Sequence, residues 1–444
     1  MTRRACVVMS LAALLTIPSA ADTFFFSTGN PDGLIATLSR VASSGKIETE
    51  TADDFIVPGP TRITQATFIG LLPTGTPLSS VTKVEIELYH VFPTDSANPP
   101  SGNVPTRVNS PADVEISAAT RDSSAGSLTF TVSILNSSFA VANTVVNGIN
   151  KSPNQFTGGE GAATGEEVLI SVNFTTPIDL PADHYFFRPE VLVSTGDFLW
   201  LSAPKPIVAP GTPFSGDLQS WIRNANLAPD WLRIGTDITH QGPFNAAFSL
   251  SGFTFAAFQT RYSSNLSSGD SVINITNTGE SSTAAFPTQN GNICANVYTF
   301  SPDEQLISCC SCLVTPDGLQ SLSARNDLIS NTLTPGVPTS IVIKLLASAG
   351  GATQSSCNAS TVGTGTNVLA PGMAAWGTTI HALPVTPGSP ATTYGETETA
   401  FTNATLSEAE ARRITTLCGF IQTNGSGFGV CRSCRFGGLG AVEQ

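Results

Sequence analysis

Alternation of apolar and polar residues gives the first readable element. In Val84-Glu85-Ile86-Glu87-Leu88-Tyr89-His90-Val91-Phe92, Val84, Ile86, Leu88 and His90 share one face, and Glu85, Glu87, Tyr89 and Val91 share the other. A period of two points successive side chains to opposite sides of a pleated backbone, so this segment predicts a half-buried β-strand. Ser127 to Ile134 alternates too, and Val168 to Phe174 does so less cleanly. Tyr185 to Val193, Phe198 to Leu201 and Phe244 to Leu250 are further apolar runs of strand length. Between the runs stand Pro73-Thr74-Gly75, Asn98-Pro99-Pro100-Ser101-Gly102, Gly158-Gly159-Glu160-Gly161 and Ala209-Pro210-Gly211-Thr212-Pro213. Such Pro/Gly clusters interrupt a strand and turn the chain. Many short strands punctuated this way predict an all-β fold, with a β-sandwich or jelly roll over residues 22–255. A short helix or turn is expected near Asp217 to Asn224.

Residues 256–270, rich in Ser, Asn and Gly toward their end, read as a linker, and a second β region follows over 271–444. Its strands are expected at Val272 to Ile275, Cys294 to Phe300, Gln305 to Ser308 and Ser340 to Leu346, with a turn at Ser301-Pro302-Asp303-Glu304. One helix stands out at about 407–423. Ser407 followed by Glu410 forms a capping box. Ala411, Ile414, Leu417, Cys418 and Ile421 then fall on one stripe at helical spacing, and Asn424-Gly425 supplies the stop. Cys418 therefore faces the core.

Residues 1–21 read as a secretory signal. Arg3 and Arg4 precede the apolar run Cys6 to Ile17, and small residues follow at Ser19, Ala20 and Ala21. That run falls short of the roughly 20 apolar residues of a membrane helix. No later stretch is long and apolar enough to span a bilayer. The expected destination is secreted, periplasmic or extracellular. Charged residues make up 12% of the chain, and the net charge of −13 becomes −15 once Arg3 and Arg4 leave. Such an acidic chain is poorly suited to phosphate backbones, so nucleic acid is not an expected partner.

Cysteine placement changes the picture most. Apart from Cys6, all cysteines lie after residue 290: Cys294, Cys309, Cys310, Cys312, Cys357, Cys418, Cys431 and Cys434. An even number in an exported chain predicts disulfides. Cys309 and Cys310 should take different partners, because neighbours on a strand point to opposite faces. The rival reading is a zinc site from Cys309, Cys310 and Cys312 with Cys431 and Cys434. The split between a cysteine-free first half and a cysteine-rich second half predicts two domains.

Several segments carry a family resemblance: Thr28 to Gly33, Ala52-Asp53-Asp54-Phe55, Phe68 to Leu72, Tyr89 to Pro93, Gly102 to Arg107, Thr157 to Gly161, Asp183 to Phe187, Phe198 to Leu201 and Pro229 to Asp237. With Asn292 to Asn296, Cys309-Cys310-Ser311-Cys312 and the run Leu417 to Cys434, the chain resembles a family of uncharacterised secreted β-rich proteins from environmental bacteria, with a Cys-rich C-terminal module. The resemblance implies export, β architecture and a bacterial source, and it brings no catalytic residue.

Candidate chemistry is sparse. Trp221 and Trp231, flanking Arg223, suggest a carbohydrate-binding pair of aromatic rings, against burial under a long loop. Asp32, Asp53 and Asp54, near Glu48 and Glu50, are candidate oxygen ligands for calcium, the one cofactor weighed, against acidic turns on a solvated face. Asp183, His184 and Glu190 invite an acid–base reading, but adjacent Asp and His side chains on a strand point apart. There is no His-Glu-x-x-His motif and no Gly-x-Ser-x-Gly elbow. The expected function is a non-enzymatic extracellular role in structure, adhesion or surface binding, with extracellular polysaccharide or surface proteins as partners. The alternatives are a carbohydrate-binding β-sandwich protein and a secreted hydrolase with an unrecognised site.

Overall fold

The structure, a computed structural model, describes residues 22–97, 101–150, 156–206, 216–282, 290–364, 367–384, 392–431 and 435–436. The expected signal segment 1–21, the spacer 209–213 and Cys434 lie outside the described residues.

The first unit opens with β1 (Asp22–Ser27), β2 (Ile35–Leu38), β3 (Thr49–Val57), β4 (Thr61–Pro73) and β5 (Val81–His90). It continues with β6 (Arg121–Asp122), β7 (Leu128–Val141), β8 (Asn143–Val145), β9 (Ala163–Leu180), β10 (Asp183–Val193) and β11 (Leu199–Ala203). It closes with β12 (Trp221–Asn224), β13 (Leu232–Arg233), β14 (Asn245–Ala246) and β15 (Phe248–Thr254). One sheet runs β1-β15-β4-β11-β2-β8, with β9 and β7 added beside β4 and β14 beside β11; the other runs β13-β12-β3-β10-β5-β6. The predicted apolar faces meet between them. Val84, Ile86 and Leu88 of β5 join Phe26, Phe55, Phe68, Phe187, Trp200 and Phe248 in one buried cluster. The Phe187 and Phe248 rings stack at 5.0 Å, and the Trp200 indole N–H donates to the Ala247 carbonyl at 2.9 Å. A β-carbon at position 70 would fall 2.1 Å from the Phe198 ring, so glycine there leaves the room that ring occupies.

The expectation near Asp217 to Asn224 is corrected: Trp221–Asn224 is a strand, pairing Ile222 with Thr51 of β3. Its side chains are buried by partners far off in sequence, so no local alternation announces it.

The second unit holds β16 (Phe258–Ser263), β17 (Val272–Asn277), β18 (Ile293–Phe300), β19 (Leu306–Val314) and β20 (Leu319–Ser323). After these come β21 (Ile341–Ala349), β22 (Met373–Ala382), β23 (Tyr394–Ala400), β24 (Thr402–Asn403), α1 (Glu408–Thr423) and β25 (Arg435–Phe436). Its sheets run β19-β18-β21-β16-β24 and β23-β22-β17-β20-β25. The linker expectation for 256–270 is corrected by β16, which pairs with β21 and β24. Gln259, Arg261 and Ser263 are buried there, a pattern that reads as solvent-facing in sequence. The Arg261 guanidinium donates to the carbonyls of Thr399 and Gly377, which makes its burial affordable.

Disulfides join Cys294 to Cys357, Cys309 to Cys418 and Cys310 to Cys431. Cys312 is disulfide-bonded as well. Cys309 and Cys310 thus take different partners, and both are committed to sulfur–sulfur bonds rather than to a metal. The Ser407 hydroxyl accepts the Glu410 N–H at 3.2 Å, and Ile414, Cys418 and Ile421 are the buried stripe of α1. The Cys309–Cys418 bond spans 109 residues of chain and pins this stripe to β19.

Phe187→Ala should destabilise the protein by about 3–5 kcal/mol in denaturant unfolding. Loss of Cys309–Cys418 through Cys309→Ser should cost about 2–5 kcal/mol. Thiol labelling of the unreduced protein should find few free cysteines.

Candidate functional site

The face of the second sheet turned away from the core collects charge, and strand register explains why. On β5, Glu85, Glu87 and Tyr89 alternate with the core residues. On β10, Arg188 stands opposite Glu87, and Glu190 opposite Glu85. Arg223 of β12 stands opposite Glu50 of β3. The result is a guanidinium hub. Arg188 lies 2.7 Å from Glu190, 3.0 Å from Glu87, 3.5 Å from Glu50 and 3.7 Å from Glu48. Arg223 holds Glu50 at 2.7 Å and sits 4.3 Å above the Trp231 ring. The Tyr89 hydroxyl donates to Glu87 at 2.7 Å and accepts from Arg223 at 3.1 Å.

Glu48, Glu50, Glu87 and Glu190 thus share two guanidiniums, while Glu85 pairs with Lys83 at 2.8 Å. Burial pushes the Glu87 carboxyl up to about 7, against the pull of Arg188. Burial also raises Glu190 well above its ordinary range and, with the neighbouring Glu50, raises Glu48. Carboxyls that keep protons near neutrality are suited to proton transfer. Here, however, Glu190 is 0% and Arg188 2% exposed, so the hub is part of the sheet's interior.

The expected binding residues belong to this packing. Trp221 is 1% exposed and Trp231 0%, and the Trp231 indole N–H donates to the Ala112 carbonyl at 3.0 Å. Neither ring offers a face for a sugar, so the carbohydrate role expected of Trp221, Arg223 and Trp231 is corrected to packing beneath the segment containing Ala112. Arg223 itself donates to the Asp113 carbonyl at 2.9 Å.

The calcium candidates do not converge. Asp32 accepts from the Leu34 N–H and the Ser202 hydroxyl. Asp53 accepts from the Ser220 hydroxyl at 3.0 Å and the Ala246 N–H at 2.8 Å. Asp54 meets His184 Nε2 at 2.6 Å and accepts the Leu218 N–H at 3.1 Å. Among the described residues, no three His, Cys, Asp or Glu side chains are grouped to hold a metal ion. His184 is therefore paired across strands with Asp54, while the Asp183 carboxylate accepts the His184 backbone N–H at 2.8 Å.

An open site lies elsewhere, between the two units. The start of α1 docks on the chain between β9 and β10: the Ala182 N–H donates to Leu406, and the Glu408 N–H to Ala182, each at 2.9 Å. Arg412 then reaches Asp95 at 2.9 Å and Glu408 at 2.8 Å, and His90 Nδ1 lies 2.7 Å from Asp95. Burial alone would raise the Asp95 carboxyl, but Arg412 and His90 hold it below its usual value. Beside this frame opens a cavity of about 620 Å³, with Val114, Ile116 and Tyr185 on one wall and Val362, Leu369 and Thr415 on the other. Arg121 at its edge is saturated by four backbone carbonyls, and Asp179 is paired to Arg62 at 2.6 Å. Sequence reasoning missed this cleft. The i,i+4 pair Glu408 and Arg412 was its only local trace, and the cleft's other half comes from residues some 300 positions earlier.

Because Glu87 takes up a proton on folding, its stabilising contribution is present below its ordinary value of 4.5 and is lost as the pH rises through about 7. Glu87→Gln cannot titrate. Its melting temperature relative to wild type should therefore climb by several degrees between about pH 5 and about pH 8. A pH-independent difference would show that Glu87 does not carry the proton.

No family model matches the chain, and no curated protein or solved structure matches it either.

Proposed function

We propose that this is a secreted, non-enzymatic protein with an adhesion or surface-binding role, and that its ligand enters the cleft between the two units. The observation that carries this reading is the 620 Å³ cavity walled by both units and framed by Arg412, Asp95, His90 and Glu408. Concave sites of a few hundred Å³ with an apolar lining and a few fixed polar groups are the usual form of a ligand site, and they favour domain interfaces. The ion pairs that frame the cleft hold its walls in place, which lowers the ordering cost of binding. Disulfides and the absence, among the described residues, of any helix long and apolar enough to cross a membrane agree with an extracellular setting. The cleft mixes hydroxyl, carboxylate and guanidinium groups with aliphatic walls, a combination that suits a chain end or branch of an extracellular polysaccharide.

Purified protein should bind members of a panel of extracellular polysaccharides. Ala118→Trp, which fills the cleft from an exposed position without touching the ion pairs, should weaken that binding at least tenfold. Silence across the panel, or binding indifferent to Ala118→Trp, would overturn the reading. N-terminal sequencing of the exported protein should begin at Ala21 or Asp22.

A further inference from the structure

Long strands with one unpaired edge invite pairing with another chain, and proteins blunt such edges by shortening, charging, bulging or covering them. Most edges of this molecule are treated in these ways. β6, β13, β24 and β25 have two residues each. β23 carries Glu396 and Glu398. β19 is covered, since the Cys309 N–H donates to the Gly429 carbonyl and Cys309 bridges to Val430. β1 is a six-residue strand that starts on Asp22.

β7 differs. Its 14 residues, Leu-Thr-Phe-Thr-Val-Ser-Ile-Leu-Asn-Ser-Ser-Phe-Ala-Val, include no charge and no proline. Leu128 to Ile134 pairs residue by residue with Phe174 to Val168 of β9, and the register shifts begin only after Ile134. Among the described residues, β7 pairs with no other strand, and no hydrogen bond reaches the opposite edge of Thr129 to Leu135. Phe130 and Val132 pack only partly against the core, and Ile134 is 46% exposed.

We infer that this edge is completed by the same edge of a second copy of the chain, in an antiparallel pair with its twofold axis at Thr131. The sequence is self-complementary about that residue. Leu128 then lies opposite Ile134 of the second copy, Phe130 opposite Val132, and Thr129 opposite Ser133. The apolar pairs fall on the core face, where each copy extends the other's half-finished apolar layer. The hydroxyl pairs fall on the outer face. Aromatic–β-branched and hydroxyl pairs across strands are favourable, and a twofold axis makes every such contact occur twice. A partner strand bearing charge would set that charge against an uncharged row, so the chain's own β7 is the better match.

Sedimentation velocity of the full exported protein should show a monomer–dimer equilibrium in the micromolar range. Thr131 faces its own copy across the axis, so Thr131→Lys and Thr131→Glu should each give monomers with an unchanged circular dichroism spectrum. An equimolar mixture of the two should recover the dimer. Ser133→Asp, on the same exposed row, should also weaken it. A wild-type protein that stays monomeric, a Thr131→Lys variant that dimerises like wild type, or a mixture that fails to reassociate would overturn the inference.

Discussion

The grip on α1 is the contact on which the relation between the two units depends. On one side, Cys309–Cys418 fixes the helix to β19, and its Ile414 and Ile421 enter the second unit's core. On the other, its first turn is hydrogen-bonded to Ala182, and Arg412 reaches across to Asp95. A helix held only by Arg412 would be weakly placed, because partly exposed ion pairs contribute little. The backbone bonds at Ala182 and the covalent tie at Cys418 turn that modest attraction into a defined position, and the cleft's walls are set by it.

The hub around Arg188 obeys a different constraint. A guanidinium with almost no exposure must be surrounded by acceptors, and removing one partner of such a pair leaves the other's desolvation uncompensated. The sheet solves this by placing carboxylates on three adjacent strands around one arginine. That solution overshoots in charge, and burial raises the Glu87 and Glu190 carboxyls against the pull of Arg188. Trp231, stacked against Arg223, closes the assembly from solvent. The cluster is thus a polar core on the far side of the sheet from the apolar one, and its cross-strand pairs link β3, β5, β10 and β12.

How much of this was legible depended on whether the cause was local. The alternation in Val84 to His90 located β5 and assigned its faces, because a pleat leaves a period of two in the sequence whatever lies beyond. The Ser407 capping box and the Ile414, Cys418, Ile421 stripe located α1 for the same reason. The adjacency of Cys309 and Cys310 was enough to separate their partners. By contrast, Gln259, Arg261 and Ser263 look like linker residues until the carbonyls of Thr399 and Gly377 are brought beside them. Trp221 and Trp231 look like exposed aromatics until the segment at Ala112 covers them.

By itself, then, the sequence determined the β architecture, the amphipathic helix α1 and the confinement of disulfides to the second unit, since each is imposed by side-chain periodicity or residue chemistry within a short window. Tertiary structure alone decided which charges meet at Arg188, that the tryptophans are buried, and that a cleft opens between His90, Asp95 and α1. Those outcomes rest on contacts between residues scores to hundreds of positions apart, whose desolvation and pairing energies exist only once the sheets have come together.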